Sequence, residues 1–195
     1  MKIIADLEVH SKYARAVSPK MDTTNISAWA DKKGINLIGT GDFTHPLYFK
    51  EIQDNLEEVN DGVYKLKNSK DKSRFLLTSE VSCIYKHKGK LRRIHILIFL
   101  SSIKKVLEFN KELVKRGCNI HSDGRPIIGM SVRTLAEIVL KIDERGLIIP
   151  AHVWTPWFGY FGSKGGYDSL DDGFEDLAKY IYAIETGLSS DPAMN

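Results

Sequence analysis

The stretch 35-INLIGTGDFTHPLYFKEIQDNLEEVNDG-62 decides the fold reading. INLIG is an apolar, β-rich run of strand length. Pro46 then stands where the first turn of a helix tolerates a missing N–H, and the helical pattern that follows closes at Asp61-Gly62. A strand that passes to a helix across a short connection is the repeating unit of a parallel α/β fold.

The same alternation extends in both directions. Strand-like runs lie at 2–7, 35–39, 75–78, 94–100, 147–150 and 180–184. Helical patterns lie between them: 22–34 with Asp22 as cap and Gly34 as stop, 101–117 with serine caps, 131–146 from Ser131 to Gly146, and a weaker one at 172–179. Two regions break the pattern. Residues 60–73 are polar and lysine-rich and are expected to form a surface excursion, whereas 81–99 reads as a hairpin turning at Lys88-Gly89-Lys90. With no linker or repeat, residues 1–195 are expected to form one α/β domain, open or barrel. The chain stops directly after a strand run, so it is expected to be an N-terminal piece of a longer protein.

Composition bounds the function class. At 43% hydrophobic and 27% charged residues the chain falls in the ordinary globular range. A net charge of +3 permits a phosphate or nucleic-acid partner without indicating one. No apolar run is long enough for a membrane span, the N-terminus has no signal-peptide pattern, and Cys83 and Cys118 form neither a disulfide framework nor a CxxC site. These features lead us to expect a cytoplasmic protein with no membrane partner.

In parallel α/β folds chemistry gathers at the C-terminal ends of strands. The first strand run delivers Glu8 and His10, the second Asp42 and His45, the third Glu80, the fourth His95, the fifth His152, and the sixth Glu185 with Asp191 shortly after. Each alone has an ordinary explanation, as a core histidine, a turn residue or a solvated strand end. Coincidence at every strand end favours a metal centre. Histidine with Asp and Glu suits Zn²⁺, Mn²⁺, Mg²⁺ or Fe²⁺, and about seven ligands suit two or three ions. Such a site serves phosphoester hydrolysis, and its cations offset the cost of burying carboxylates. Alternation along the first strand puts Asp6, Glu8 and His10 on one face, with Asp6 as a second-layer partner.

These residues resemble the PHP (polymerase and histidinol phosphatase) superfamily. The segments 6-DLEVHSKYA-14, 39-GTGDFTHP-46, Glu80 and 150-PAHVW-154 match its motifs, although the superfamily carries histidine where this chain has Glu8. Longer matches are similar to the endonuclease Q family: 76-LLTSEVSCIY-85, 122-SDGRPIIGM-130, 150-PAHVWTPWFGYFGSKGGYDS-169 and 183-AIETGLSSDPAMN-195. The resemblance implies a distorted (β/α)7-type barrel, truncated before its last strands, that binds a cluster of divalent ions. It also implies nicking of DNA 5′ to uracil, hypoxanthine, xanthine or abasic sites. The ligand candidates carried over are Glu8, His10, Asp42, His45, Glu80, His95 and His152, with His10, Asp42 and Glu80 as the catalytic core. The superfamily's last Asp-x-His motif does not occur in this chain. A further C-terminal region is expected to add DNA binding and contacts to replication or repair factors.

Damaged DNA is the expected partner. Trp154, Trp157 and Phe158 are placed to stack on an extruded base or to pack their own loop, and Arg15, Arg92 and Lys164 to meet phosphates. Two alternatives are a small-molecule phosphatase of the same superfamily and a degenerate barrel that binds nucleic acid without cutting it.

Overall fold

Strand β1 (Ala5–Asp6) pairs in parallel with β2 (Leu37–Gly39), and β2 in parallel with β5 (Arg74–His87), in register Ile38↔Phe75. The structure, a computed structural model, describes residues 2–187. Its chain divides into two compact units, Met1–Glu80 with Phe99–Pro126, and Val81–Ile98 with Ile127–Asn195.

In the first unit, α1 (Thr23–Lys33) is capped as expected: Asp22 accepts from the Asn25 N–H, and Gly34 at φ 71° closes the helix in the left-handed conformation. Helix α2 (Pro46–Asn55) starts at the expected proline but ends seven residues early, and the chain turns into strand β3 (Leu56–Asn60). Asp61-Gly62 is therefore a hairpin turn and not a helix stop. Gly62 supplies φ 78°, and β4 (Val63–Leu66) returns antiparallel to β3 and pairs with β5. The polar excursion is thus partly sheet. Both readings fit an Asp-Gly pair; Tyr64 and Leu66, alternating into the core, decide for the strand. The core is built from Tyr48, Ile52, Phe75 and Leu77 with Val106, Phe109 and Leu113 of α3 (Ile103–Lys115), where Phe43 meets Phe109 edge to face.

In the second unit, β5 and β6 (Lys90–Leu100) form the expected hairpin, with Lys88 and Gly89 both at positive φ, as a two-residue primed turn requires. Strand β7 (Ile127–Ile128) adds to β5 in parallel, and β8 (Leu147–Pro150) pairs with β6. Helix α4 (Val132–Ile142) is capped by Ser131 and buries Leu135 and Val139. The expected strand at 180–184 is absent. A short helix α5 (Leu170–Phe174) leads into a 3₁₀ turn, Glu175–Tyr180, and residues 181–187 are irregular. Pro150 and Glu185 nevertheless hydrogen-bond, so the segment runs beside β8 without completing a ladder. Asp191 lies outside the described residues.

The fold is therefore mixed α/β, and its strand order among the described residues does not close on itself. No described helix is long and apolar enough to cross a membrane.

Glycines fix the path of the first unit's N-terminal segment. A Cβ on Gly39 would strike the Leu7 carbonyl, and one on Gly41, which also sits at φ 67°, would strike the Val9 carbonyl. Residues 7–10 thus lie directly on the end of β2. Gly41→Ala is expected to destabilise the protein by roughly 2 kcal/mol or more, from strain and displacement together. Urea unfolding that shows no change in midpoint would contradict that close approach.

Candidate metal centre

Beyond Asp6 the chain leaves β1, so Glu8 and His10 are not held by strand alternation. They are placed by the contact over Gly39 and Gly41 and by Asp42. Asp6 itself is exposed, and the carboxylate that meets the His10 ring is instead that of Asp42. Asp42 is wholly buried at φ 45°, a conformation Asp tolerates better than most residues. Its Oδ2 accepts from the Ser11 N–H at 2.6 Å and the Ser11 hydroxyl at 2.8 Å, and its Oδ1 accepts from His10 Nδ1 at 2.9 Å. Gly124 packs beneath this carboxylate so closely that any Cβ there would collide with it.

With Nδ1 fixed on Asp42, the opposite nitrogen of His10 faces inward, where Nε2 lies 3.2 Å from Glu80 Oε2. Glu80 is almost fully buried in β5, and the same oxygen accepts from Arg125 Nη1 at 3.1 Å. Ligand atoms of Glu8, His10 and Glu80 all lie within 4.8 Å of one another. Burial, the strongest single influence on His10, works against its protonation. Hydrogen bonds and charge from Asp42 and Glu80 outweigh it and push its pKa up to about 10.

The carboxylates thus favour positive charge at this point. Two carboxylates and an imidazole oriented by a third carboxylate form a donor set that fits a divalent ion. Glu8, His10 and Glu80 would hold it, and Asp42 would set the His10 ring and tautomer. Sequence reasoning missed Ser11, Asp123 and Arg125. The SDGRP stretch carries part of the family resemblance, yet nothing in its spacing announces a guanidinium on Glu80.

His45 is placed differently. It precedes α2, its ring stacks on Tyr13 at 4.3 Å, and its Nε2 donates to the His121 carbonyl at 3.1 Å. Burial lowers its pKa, and its buried Nδ1 has no partner among the described residues. The structure does not bring it into the Glu8–His10–Glu80 group.

In the second unit, His95 Nδ1 and His152 Nε2 are 3.1 Å apart, and the His95 ring packs on Phe158 at 4.4 Å. His152 follows β8 at φ 32°; its N–H donates to Glu185 Oε2, and its Nδ1 pairs with the Thr155 hydroxyl. Both imidazoles are thus held in defined orientations.

The residues expected to meet DNA divide into two kinds. Arg15, with 88% of its side chain exposed, Trp157 at 54%, and exposed Lys164 all reach solvent. Trp157 also carries Arg93 over its ring. Phe158 and Trp154 instead pack within the unit, on His95 and Phe161. Arg92 is committed as well, because its guanidinium lies over the Tyr167 ring and donates to the Gly166 carbonyl. Tyr167 in turn links the Tyr85 hydroxyl and His87 Nδ1, so Arg92 fastens the glycine-rich loop to the hairpin.

No family model matches the chain. It is 37% identical over 151 residues to the uncharacterized protein MJ0043 of Methanocaldococcus jannaschii, covering 77% of this chain and 16% of that protein. It is 29% identical over 207 residues to the uncharacterized protein YqxK of Bacillus subtilis, covering 99% of this chain and 50% of that one. Among solved structures it resembles nucleases. The lesion-specific endonuclease PfuEndoQ from Pyrococcus furiosus matches at a TM-score of 0.80 and 34% identity, over 98% of this chain and 44% of that one. An endonuclease Q complex with a 27-mer duplex substrate, which has an abasic lesion at its active site, matches at 0.80 and 35%, over 97% and 44%. The chain therefore spans half or less of the length of each of these proteins.

Asp42→Asn keeps the shape of the buttress but loses its charge, and is expected to weaken Mn²⁺ binding about 10- to 100-fold. Isothermal titration would measure this; unchanged affinity would contradict the assigned orientation of His10.

Proposed function

We propose that the chain carries the nuclease centre of a metal-dependent DNA repair endonuclease of the endonuclease Q type, within the PHP superfamily. Its substrate is DNA containing deaminated bases (uracil, hypoxanthine or xanthine) or abasic sites, cut 5′ to the lesion. One observation carries the reading: a fold likeness over nearly the whole chain to endonuclease Q, a protein solved with an abasic duplex at its active site. The Glu8–His10–Glu80 donor set supports it, because divalent ions held there would activate water and stabilise the phosphate oxygens in phosphodiester hydrolysis. We further propose the distorted (β/α)7-type barrel as the architecture of the complete domain. The cytoplasm is the proposed compartment, and replication or repair factors are proposed partners of a C-terminal region.

Two or three ions of Zn²⁺, Mn²⁺, Mg²⁺ or Fe²⁺, when bound, supply an activated water and positive charge for the phosphate oxygens. The remaining roles belong to the chain. Ser11 holds Asp42, Asp42 holds Nδ1 of His10, and His10 presents Nε2 beside Glu80. Glu8 and Glu80 present carboxylates, which favour harder ions such as Mn²⁺ or Mg²⁺. We assign Asp42 to positioning, since both its oxygens already accept hydrogen bonds. Within the second unit, His95 and His152 are proposed as metal ligands. Arg15, Trp157 and Lys164 are the DNA contacts this reading favours, with Trp154, Phe158 and Arg92 shaping the loop.

The test is to incubate the protein with Mn²⁺, Mg²⁺ or Zn²⁺ and duplexes containing uracil, hypoxanthine or an abasic site. The expected result is lesion-dependent nicking that chelation abolishes, and that His10→Ala abolishes while leaving the fold intact by circular dichroism. Hydrolysis of small phosphomonoesters alone would sink the proposal.

A further inference from the structure

Arg125 has no part in the ligand set, yet it reaches the centre of the site. Its Nη1 donates to Glu80 Oε2, the same oxygen that His10 Nε2 approaches. About a third of its side chain is exposed, 36%, while its Glu80 partner is at 1%. The guanidinium therefore bridges from the buried carboxylate to solvent. Its remaining donors, Nε and Nη2, have no protein partner among the described residues.

The backbone beneath this side chain is tightly specified. Asp123 Oδ1 accepts from the Arg125 N–H at 3.0 Å and from the Arg15 N–H at 3.4 Å, so one carboxylate ties together the two loops that carry the arginines. Gly124 donates to the Tyr13 carbonyl, its own carbonyl accepts from the Thr44 hydroxyl, and it packs on Asp42. Pro126 fixes the next φ. A surface arginine placed only for solubility would need none of this.

The geometry points to Arg125 as a phosphate-binding residue of the site, with Arg15 as its outer companion on the Asp123 hub. The inference rests on the reading of this site as a phosphoesterase centre. One edge of the guanidinium fork stays on Glu80, and the open edge offers paired N–H donors at the spacing of two phosphate oxygens. The ligand is a phosphoryl group, either in a diester backbone or as free phosphate. Lysine would supply the charge but not the fork.

The competing explanation is that Arg125 merely steadies Glu80, and the two predict different losses. Inorganic phosphate would be titrated into the Mn²⁺-loaded protein at constant ionic strength, with Mn²⁺ affinity and stoichiometry measured separately. For Arg125→Gln, phosphate binding is expected to weaken roughly tenfold, the loss of a charge-assisted contact, while Mn²⁺ affinity stays within about threefold of wild type. Arg125→Lys is expected to recover only part of the phosphate affinity. Three outcomes would overturn the assignment: Mn²⁺ affinity falling in step with phosphate affinity, phosphate binding unaffected by the variants, or no phosphate binding by the wild type. Nicking of an abasic duplex, assayed in parallel, separates the two claims. Wild-type protein that binds phosphate through Arg125 but never nicks DNA sinks the endonuclease reading alone. An Arg125→Gln variant that nicks DNA as well as wild type, with phosphate binding unchanged, sinks the Arg125 assignment alone.

Discussion

The Asp42 carboxylate is buried with no exposure, on a backbone in the left-handed region, and the first unit is arranged around satisfying it. A buried carboxylate costs several kcal/mol in desolvation unless hydrogen bonds and opposite charge offset it. Ser11 supplies an N–H and a hydroxyl, and His10 supplies a ring N–H. Those donors are in place only because residues 7–10 can lie on the end of β2, which the bare glycines at 39 and 41 allow. The same crowding brings Gly124 under the carboxylate and so sets the loop that carries Arg125. A single buried charge thus links the strand order, the path of the N-terminal segment and the direction of the His10 ring.

The surplus of acid has a chemical consequence. Glu8 and Glu80 lie beside His10 and Asp42 holds its ring, so that hydrogen bonds and charge from Asp42 and Glu80 raise its pKa, while the Arg125 guanidinium donates to Glu80. A divalent ion would replace the imidazole proton and supply more positive charge there. In the second unit, His95 and His152 are oriented with similar care, through Phe158, Thr155 and the Glu185 carboxylate.

Much of this was legible in the residues. Helix caps at Asp22, Ser102 and Ser131, the hairpin turn at Lys88-Gly89, and the strand ends followed by Asp42 and His152 are local signals that the structure retains, whereas Glu80 and His95 lie in the middle of β5 and β6. What local patterns could not supply was geometry set by distant backbone. Alternation along an assumed first strand put Asp6 beside the ligands, whereas β1 is two residues long and the buttress is Asp42, 32 positions from His10. Asp61-Gly62 fitted a helix stop and a hairpin turn equally well until the burial of Tyr64 and Leu66 decided. Arg92 looked available to phosphate because its stacking on Tyr167 joins residues far apart in sequence. Arg125 was overlooked because its role depends on Glu80, 45 positions away.

Whether Glu8, His10 and Glu80 share one cation decides the nature of this site. Anomalous diffraction from crystals of the protein grown with Mn²⁺ tests this directly. A peak bonded to the Glu8 and Glu80 carboxylates and to His10 Nε2, at about 2.0–2.3 Å, is the predicted result, with Nδ1 still on Asp42. Mn²⁺ bound only elsewhere, with His10 Nε2 still hydrogen-bonded to Glu80, would contradict it.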